Sequence, residues 1–466
     1  MLERIHDWWR RPCGGRDVMT LALPLVISTM SFTVMTFIDR MFLTWYSIDA
    51  VAAAMPAAML QFTLLSFPLG VATYVNTFVA QYEGAGRLRQ IGPVVWQGIW
   101  IGLISIPLLL FTIPLAHTYF HHAGHDPAVV VEEITYYDVL IFGSGAVILA
   151  GTLSSFFTGR GATRVVMAVD SLAALLNGIL AYLWIFGHGG FPRFGIAGAG
   201  AATVCAEWFR VICYSAIMMR PRYRKYHLAS GWRWNGTLLR RLWTFGAPGG
   251  LQWLIECGSF TLFITLVGGL GKMNQAGTML AFNVNSVAWV PMMGMGLAVA
   301  TKVGQQLGAN RPDMAARATW TAFVLAMIYM CTMSLFYVIV PGWFLMGHAV
   351  GMAPEQFEPL RELIVVLLRF VAVYCLFDAM NVVFMSAIRG AGDTRFVFWT
   401  SLGTSLLPLS LAWLGIHYLG QGLLWCWTLI TLWVCSAGFI YLARFLQGKW
   451  RTMRVIEPEA VREAPP

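Results

Sequence analysis

Apolar runs of roughly 18 residues or more, long enough to cross a hydrocarbon core as helices, recur along the whole chain. Leu21–Ile38, Val94–Leu115, Phe323–Val340 and Leu423–Leu442 are examples. Inside a bilayer the backbone has no water to bond, so such a run satisfies its own polar groups as a helix. Composition agrees: 58% of the residues are hydrophobic and 11% charged, against about 25% charged in an ordinary soluble domain. A soluble enzyme is nearly excluded. The pattern predicts an all-α membrane protein with about twelve transmembrane helices, near 17–44, 50–80, 92–118, 133–157, 163–187, 194–219, 240–270, 275–304, 316–345, 359–388, 396–418 and 421–445.

The net charge of +9 would suit nucleic acid, but in a membrane protein basic residues follow topology first. The connecting segments alternate sharply in Lys and Arg. One set, comprising the N-terminus, Arg87 with Arg89, Arg160 with Arg164, Arg220–Arg241, Lys302 to Arg317, Arg389 with Arg395 and the tail, holds 25 of the 31 basic residues. The other side has only Arg193, Lys272 and Arg361, while Arg40, Arg210 and Arg369 fall inside spans. The positive-inside rule then places both termini in the cytoplasm and makes the helix count even. No nucleic-acid partner is needed to explain the charge.

Met1–Arg16 is polar and basic, which is unlike a cleavable signal peptide, so the first span is expected in the mature protein. The eight cysteines show no CxxC spacing and read as small core residues without a disulfide or zinc role. His117, His121, His122 and His125 have a spacing that could hold a metal, but they fall at the outer end of the third span beside Gly124 and Pro127, where a solvated loop is the simpler account.

Two copies of one pattern lie 224 residues apart. Leu23-Pro24 answers Ala247-Pro248, Gly70 answers Gly294, and Gln81…Gly84-Ala85…Arg87 answers Gln305…Gly308-Ala309…Arg311. Further on, Arg160-Gly161-Ala162-Thr163-Arg164 answers Arg389-Gly390-Ala391-Gly392-Asp393-Thr394-Arg395, with a two-residue insertion. Six spans per copy begin each half on the same side, so the repeats are parallel, as in carriers that rock two lobes about a central cavity. The expected organisation is a cytoplasmic N-terminus 1–16, an N-lobe 17–220, a cytoplasmic linker 221–239, a C-lobe 240–445 and a cytoplasmic tail 446–466. The acidic end Glu457–Pro466 is expected to be disordered.

The early proline of helices one and seven, the Gln-x-x-Gly-Ala ends of helices two and eight, and the Arg-Gly-Ala-Gly-Asp-Thr stretch after helix ten resemble the multidrug and toxic compound extrusion (MATE) family over roughly residues 17–445. The resemblance implies a V-shaped, twelve-helix carrier of the bacterial inner membrane. Such a carrier exports bulky, often cationic small molecules in exchange for Na+ or H+, with no other cofactor and no obligate protein partner.

An ionised carboxylate in mid-membrane costs roughly 2.5–3.5 kcal/mol on insertion scales, so each one needs a reason. Asp39 lies deep in the first helix. A desolvated carboxyl holds a proton and a bound cation favours its charged form, so one side chain can exchange the two. An ion pair with Arg40 or Arg210 is the bland alternative, although adjacent residues on a helix point about 100° apart and make Arg40 a poor partner. The resemblance pairs Asp39 with Asn177 and Thr203, and puts Ala181 where family members carry a second aspartate. Three oxygen ligands are too few for a complete sodium shell. Asp170 could substitute in part, though pairing with an arginine is the simpler role, and Glu207 with Arg210 reads as an ion pair on one helix face.

In the C-lobe, Glu256 and Asp378 resemble by position the cation-binding carboxylates of the family. Gln252 shares a helix face with Glu256, as Asn381 nearly does with Asp378, and the two faces could converge on one cation. Pairing of Asp378 with Arg369 is the alternative. Trp253, Phe282 and Trp289, with Met292, Met293 and Met295, lie on helices expected to line the cavity, where aromatic faces and methionines suit bulky cations. Lipid-facing aromatics are equally expected. Asn283 and Asn285 are the better candidates for polar substrate contacts.

Two other functions compete. A lipid-linked oligosaccharide flippase would share the topology but needs basic residues in its cavity for a pyrophosphate, and only Arg40, Arg210 and Arg369 lie within the spans. A membrane-embedded enzyme would need a nucleophile with a base, or clustered metal ligands. The sequence shows neither, nor an ATP-binding loop of the Walker type.

Overall fold

The computed structural model describes residues 2–345 and 354–457. Among them are twelve helices long and apolar enough to cross a membrane. These are α1 (Gly15–Tyr46), α2 (Ile48–Gly84), α3 (Leu88–Leu110), α4 (Pro127–Gly159), α5 (Thr163–Phe186), α6 (Ile196–Met218), α7 (Gly236–Gly268), α8 (Lys272–Gly308), α9 (Pro312–Ile339), α10 (Glu358–Ala391), α11 (Thr394–Leu419) and α12 (Leu423–Leu446). A short helix, Leu2–Arg10, precedes α1. Local chemistry marks several starts: Asp126 caps α4 by accepting from the Ala128 amide at 2.9 Å, with Pro127 as first helical residue, and Asn235 caps α7 through the Leu238 amide at 3.1 Å.

Helix packing repeats with the sequence. In the N-lobe α1 packs on α5, α2 on α4, and α4 on α6; in the C-lobe α7 packs on α11, α8 on α10, and α10 on α12. The lobes meet where α1 crosses α8 and where α7 crosses α2, again a related pair. The repeated glycines sit at these crossings. A Cβ on Gly70 would lie 2.6 Å from the Gly250 Cα, and one on Gly294 would lie 2.7 Å from the Val26 Cα, the repeat counterpart of Gly250. Side chains there would force the backbones apart.

The same logic explains the two Gln-x-x-Gly-Ala motifs. A Cβ on Gly84 would meet the Gln305 carbonyl oxygen at 1.9 Å, and one on Gly308 would meet that of Gln81 at 2.0 Å. Each glutamine then bonds across the interface: Gln81 Nε2 donates to the Gly390 carbonyl at 3.1 Å, and Gln305 Nε2 to that of Gly159 at 2.9 Å. Asn76 and Thr301 add a side-chain bond of 3.1 Å, and the Tyr74 hydroxyl reaches the Arg389 carbonyl at 3.0 Å. Every hydrogen bond found between the lobes among the described residues lies between mid-helix and the end carrying the termini, hereafter the basic end. The basic end is closed.

The outer surface is apolar, with Leu108, Phe111, Ile212 and Trp399 all exposed, as a lipid-facing surface requires. Three expectations change. His117, His121 and His122 are not in a loop but on a separate short helix, Ile113–His122, following α3; His117 Nε2 lies 2.8 Å from Asp138 Oδ1, and His125 Nδ1 2.8 Å from Glu133 Oε1. The cysteines are all free, but only Cys13, Cys375 and Cys426 are buried, while Cys205 and Cys331 face outward. Glu457, read as the start of a disordered end, is held in place by Tyr82, Arg87 and Arg241; 458–466 lie outside the described residues.

Candidate functional site

In the N-lobe, α1, α5 and α6 bring Asp39, Asn177 and Thr203 together. Asp39 is only 4% exposed and Asn177 fully buried. Asp39 Oδ2 accepts from Thr203 Oγ1 at 3.2 Å and from Asn177 Nδ2 at 3.4 Å, and Asn177 Nδ2 lies 3.2 Å from Thr203 Oγ1. The other oxygens, Asp39 Oδ1 and Asn177 Oδ1, are buried and have no hydrogen-bond partner. Buried acceptors without donors are costly, and a proton or a small cation is the group that relieves them. Ala181, one turn beyond Asn177, is fully buried and adds no ligand.

A separate polar network occupies the basic half of the same lobe. Asp170 accepts from Arg210 Nε at 2.9 Å and from the Tyr214 hydroxyl at 2.7 Å, and it also bonds Ser28. Arg210 Nη1 holds Glu207 at 2.8 Å. Asp170 is therefore committed to Arg210 and contributes nothing to Asp39. Arg210 is likewise neutralised by two carboxylates, while Arg40 and Arg369 are exposed, so none of the three arginines expected within the spans is a buried free cation for a pyrophosphate; α10 also takes in Arg389, which is half-buried beside Gly249 of α7.

The C-lobe is arranged differently. Glu256 on α7 is half-buried and its Oε1 accepts from Gln252 Nε2 at 2.9 Å and from Ser401 Oγ of α11 at 3.1 Å. Ser401 in turn lies 3.1 Å from the Tyr441 hydroxyl of α12. Asp378 on α10 is 8% exposed and accepts from Asn381 Nδ2 at 3.3 Å. Gln252 also touches Met385 Sδ at 3.3 Å, which ties α7 to α10, and its Oε1 is a buried acceptor without a partner. Among the described residues no hydrogen bond joins the two carboxylates, and no ion pair links Asp378 to Arg369. Ser401 and Tyr441 were not singled out in the sequence; a serine in an apolar helix on the far side of the repeat leaves no pattern to read.

The other expected cavity residues scatter. Trp253 packs on Phe62 of α2 across the lobe interface, with ring centroids 6.5 Å apart. Phe282 stacks on Trp427 at 5.1 Å inside the C-lobe, so it belongs to that lobe's aromatic core. Met292 and Met295 are buried, Met293 is half-buried, and Trp289 is exposed. Asn283 is exposed and Asn285 half-buried, the latter accepting from Cys375 Sγ at 3.6 Å.

Two six-helix lobes closed at one end, with buried unpartnered oxygens between spanning helices, define the class: a two-lobed membrane carrier. Known proteins agree. The MatE family model matches residues 24–183 and again 248–414, so its two copies begin on the repeated prolines. The chain is 28% identical over 470 residues to a probable multidrug resistance protein NorM of Mesorhizobium japonicum, covering 98% of this chain and 97% of that one. A protein of the same description from Brucella suis is 27% identical over 416 residues, covering 88% and 85%. Among solved structures, an outward-facing multidrug resistance MATE family transporter of the MOP superfamily superimposes with a TM-score of 0.87 at 16% identity, covering 96% of this chain and 98% of that one. A MOP superfamily transporter from Pyrococcus furiosus gives 0.84 at 17% identity, covering 96% and 98%. The chain belongs to the MatE family, whose members are membrane transporters and not enzymes.

Proposed function

We propose that this chain is a secondary antiporter of the bacterial inner membrane, with its basic end and both termini in the cytoplasm, that exports amphipathic or cationic small molecules against inward flow of Na+ or H+. The observation that carries the reading is the pair of buried, unpartnered oxygens Asp39 Oδ1 and Asn177 Oδ1 beside the Thr203 hydroxyl. The relatives' description as multidrug resistance proteins supports the substrate class, and the Lys and Arg bias supports the orientation.

Asp39 lies seven residues from the end of α1 opposite the basic end, roughly 10 Å along the helix axis. An ion entering from that side reaches it before reaching mid-membrane. Because α1 also crosses α8 at the lobe interface, an ion held at Asp39 acts on a helix that moves when the lobes rock. It shifts the balance of open states only by binding one of them more tightly. Glu256 and Asp378, with Gln252, Asn381 and Ser401, are the second carboxylate set available to a cation, and Gln252 Oε1 lacks a donor there.

Efflux of a fluorescent organic cation from proteoliposomes, with sodium and pH gradients imposed separately, tests the reading. Export driven by pH alone assigns the coupling to protonation at Asp39, and export driven by sodium alone assigns it to the Glu256 and Asp378 set. No export under either gradient overturns the antiporter.

A further inference from the structure

The internal repeat is broken by an insertion near the basic end of the C-lobe, and the chain end fills that break. The C-lobe copy of the Arg-Gly-Ala motif carries the extra residues Gly392 and Asp393. Gly392 adopts a φ of +113°, open to glycine alone, and a Cβ there would lie 2.8 Å from Val455 Cγ1. Asp393 holds Arg444 of α12 at 2.7 Å. Beyond α12 the chain turns back along the C-lobe: Trp450 stacks on Phe445 at 4.8 Å, and Arg451 pairs with Asp313 at 3.1 Å. Val455 and Ile456 are then buried against the closed basic end.

At that point the segment touches both lobes. On the C-lobe side Arg241 of α7 pairs with the Glu457 carboxylate and bonds the Val455 carbonyl. On the N-lobe side the Val455 amide donates to Gln81 Oε1 at 2.8 Å, the Tyr82 hydroxyl donates to Glu457 Oε2 at 2.9 Å, and Arg87 Nη1 donates to the Glu457 carbonyl at 2.7 Å. Gln81 is the same side chain that bonds Gly390 across the α2 and α8 crossing. A cavity of about 800 Å³ lined by Gly86, Arg87, Asn235 and Glu457 opens beside the segment, so water can replace these bonds when it leaves.

We propose that residues 453–457 form a strap that latches the two lobes together at the basic end, so that this end opens only after Glu457 leaves Tyr82 and Arg87. The strap rides on the C-lobe and must part from the N-lobe in each cycle; this rests on the carrier reading above, in which the lobes rock. The latch acts in one direction. It favours the state closed at the basic end and is absent from the state open there, so weakening it enlarges the second population.

The test is hydrogen–deuterium exchange on the full chain in lipid nanodiscs, without substrate or gradient, so that it reads the latch whether or not the carrier moves an organic cation. Tyr82→Phe removes one bond to a charged acceptor and keeps the ring; Glu457→Gln takes the charge from both the Tyr82 bond and the Arg241 pair, and a chain ending at Thr452 removes the whole strap. The expected result is roughly ten-fold faster exchange over 76–84 and 301–308 in Tyr82→Phe, a larger change in the other two, and unchanged exchange over 36–40 near Asp39. Unchanged exchange at the basic end in Tyr82→Phe and Glu457→Gln, both folded by thermal melting, overturns the latch and leaves the segment as passive packing. Equal acceleration everywhere overturns it too, because that is general destabilisation.

Discussion

The two lobes share a backbone plan but hold their carboxylates by different means. In repeat register Asp39 corresponds to Phe263, so Glu256 sits seven residues, roughly 10 Å, nearer the basic end than its N-lobe counterpart. The N-lobe assembles one compact site from three helices and leaves two acceptors bare. The C-lobe gives each carboxylate its own amide neighbour and steadies Glu256 through Ser401 and Tyr441. The contrast teaches that duplication conserved the helix crossings, where backbones touch, and left the polar interior free to diverge. Two dissimilar sites on one symmetric frame can be loaded from different depths.

The largest expected effect comes from removing the charge. Asp39→Asn should reduce gradient-driven export in proteoliposomes to the level of empty vesicles while the melting temperature stays near that of the parent, and Glu256→Gln and Asp378→Asn should do the same if both lobes couple. Full export in Asp39→Asn would move the coupling wholly to the C-lobe. Next is Arg210→Ala, which strands Asp170 and Glu207 without their cation. Breaking a buried pair of this kind costs about 3–5 kcal/mol, so thermal unfolding should show a marked loss of stability; a small loss would mean that water reaches the network.

Ala181→Asp probes the N-lobe pocket by adding a ligand. A carboxylate at this fully buried position should lower stability in sodium-free buffer and regain part of it with added NaCl, but not with choline chloride, as read by thermal shift. No sodium-specific recovery would show that the N-lobe pocket cannot close around a cation. The smallest effect is expected for Ser401→Ala. It removes one hydrogen bond from Glu256, worth roughly 1.5–3 kcal/mol when the acceptor is charged, so the pH or sodium dependence of transport should shift while maximal export stays intact. An unaltered profile would separate Glu256 from coupling.

Much of the architecture was legible beforehand, for a physical reason. Spanning helices announce themselves by length and apolarity, because a single segment crossing hydrocarbon must satisfy its own backbone as a helix unless it belongs to a closed barrel, and the repeat announces itself by its prolines and glycines. Span ends moved by a few residues; the second helix runs on to Gly84 and the seventh starts at Gly236. The candidate site was legible only in part. Asp39, Glu256 and Asp378 stand out as charges in apolar helices, but Ser401 and Tyr441 do not, since serine and tyrosine are ordinary in such helices. Phe282 looked like a cavity aromatic and lies in the C-lobe core, because an aromatic residue's neighbours depend on which way its helix faces.

From the sequence alone follow the twelve-helix count, the parallel duplication and the gathering of the basic segments at one end, because each rests on a local property: hydropathy, register or charge. What only tertiary structure decided is which groups meet. Gln81 and Gln305 bond across the lobe interface because α2 and α8 cross backbone to backbone at Gly84 and Gly308. Asp39 meets Asn177 and Thr203, and Glu457 meets Tyr82, across separations of 138, 164 and 375 residues. No periodicity within a segment encodes such distances, which are set by how twelve helices pack.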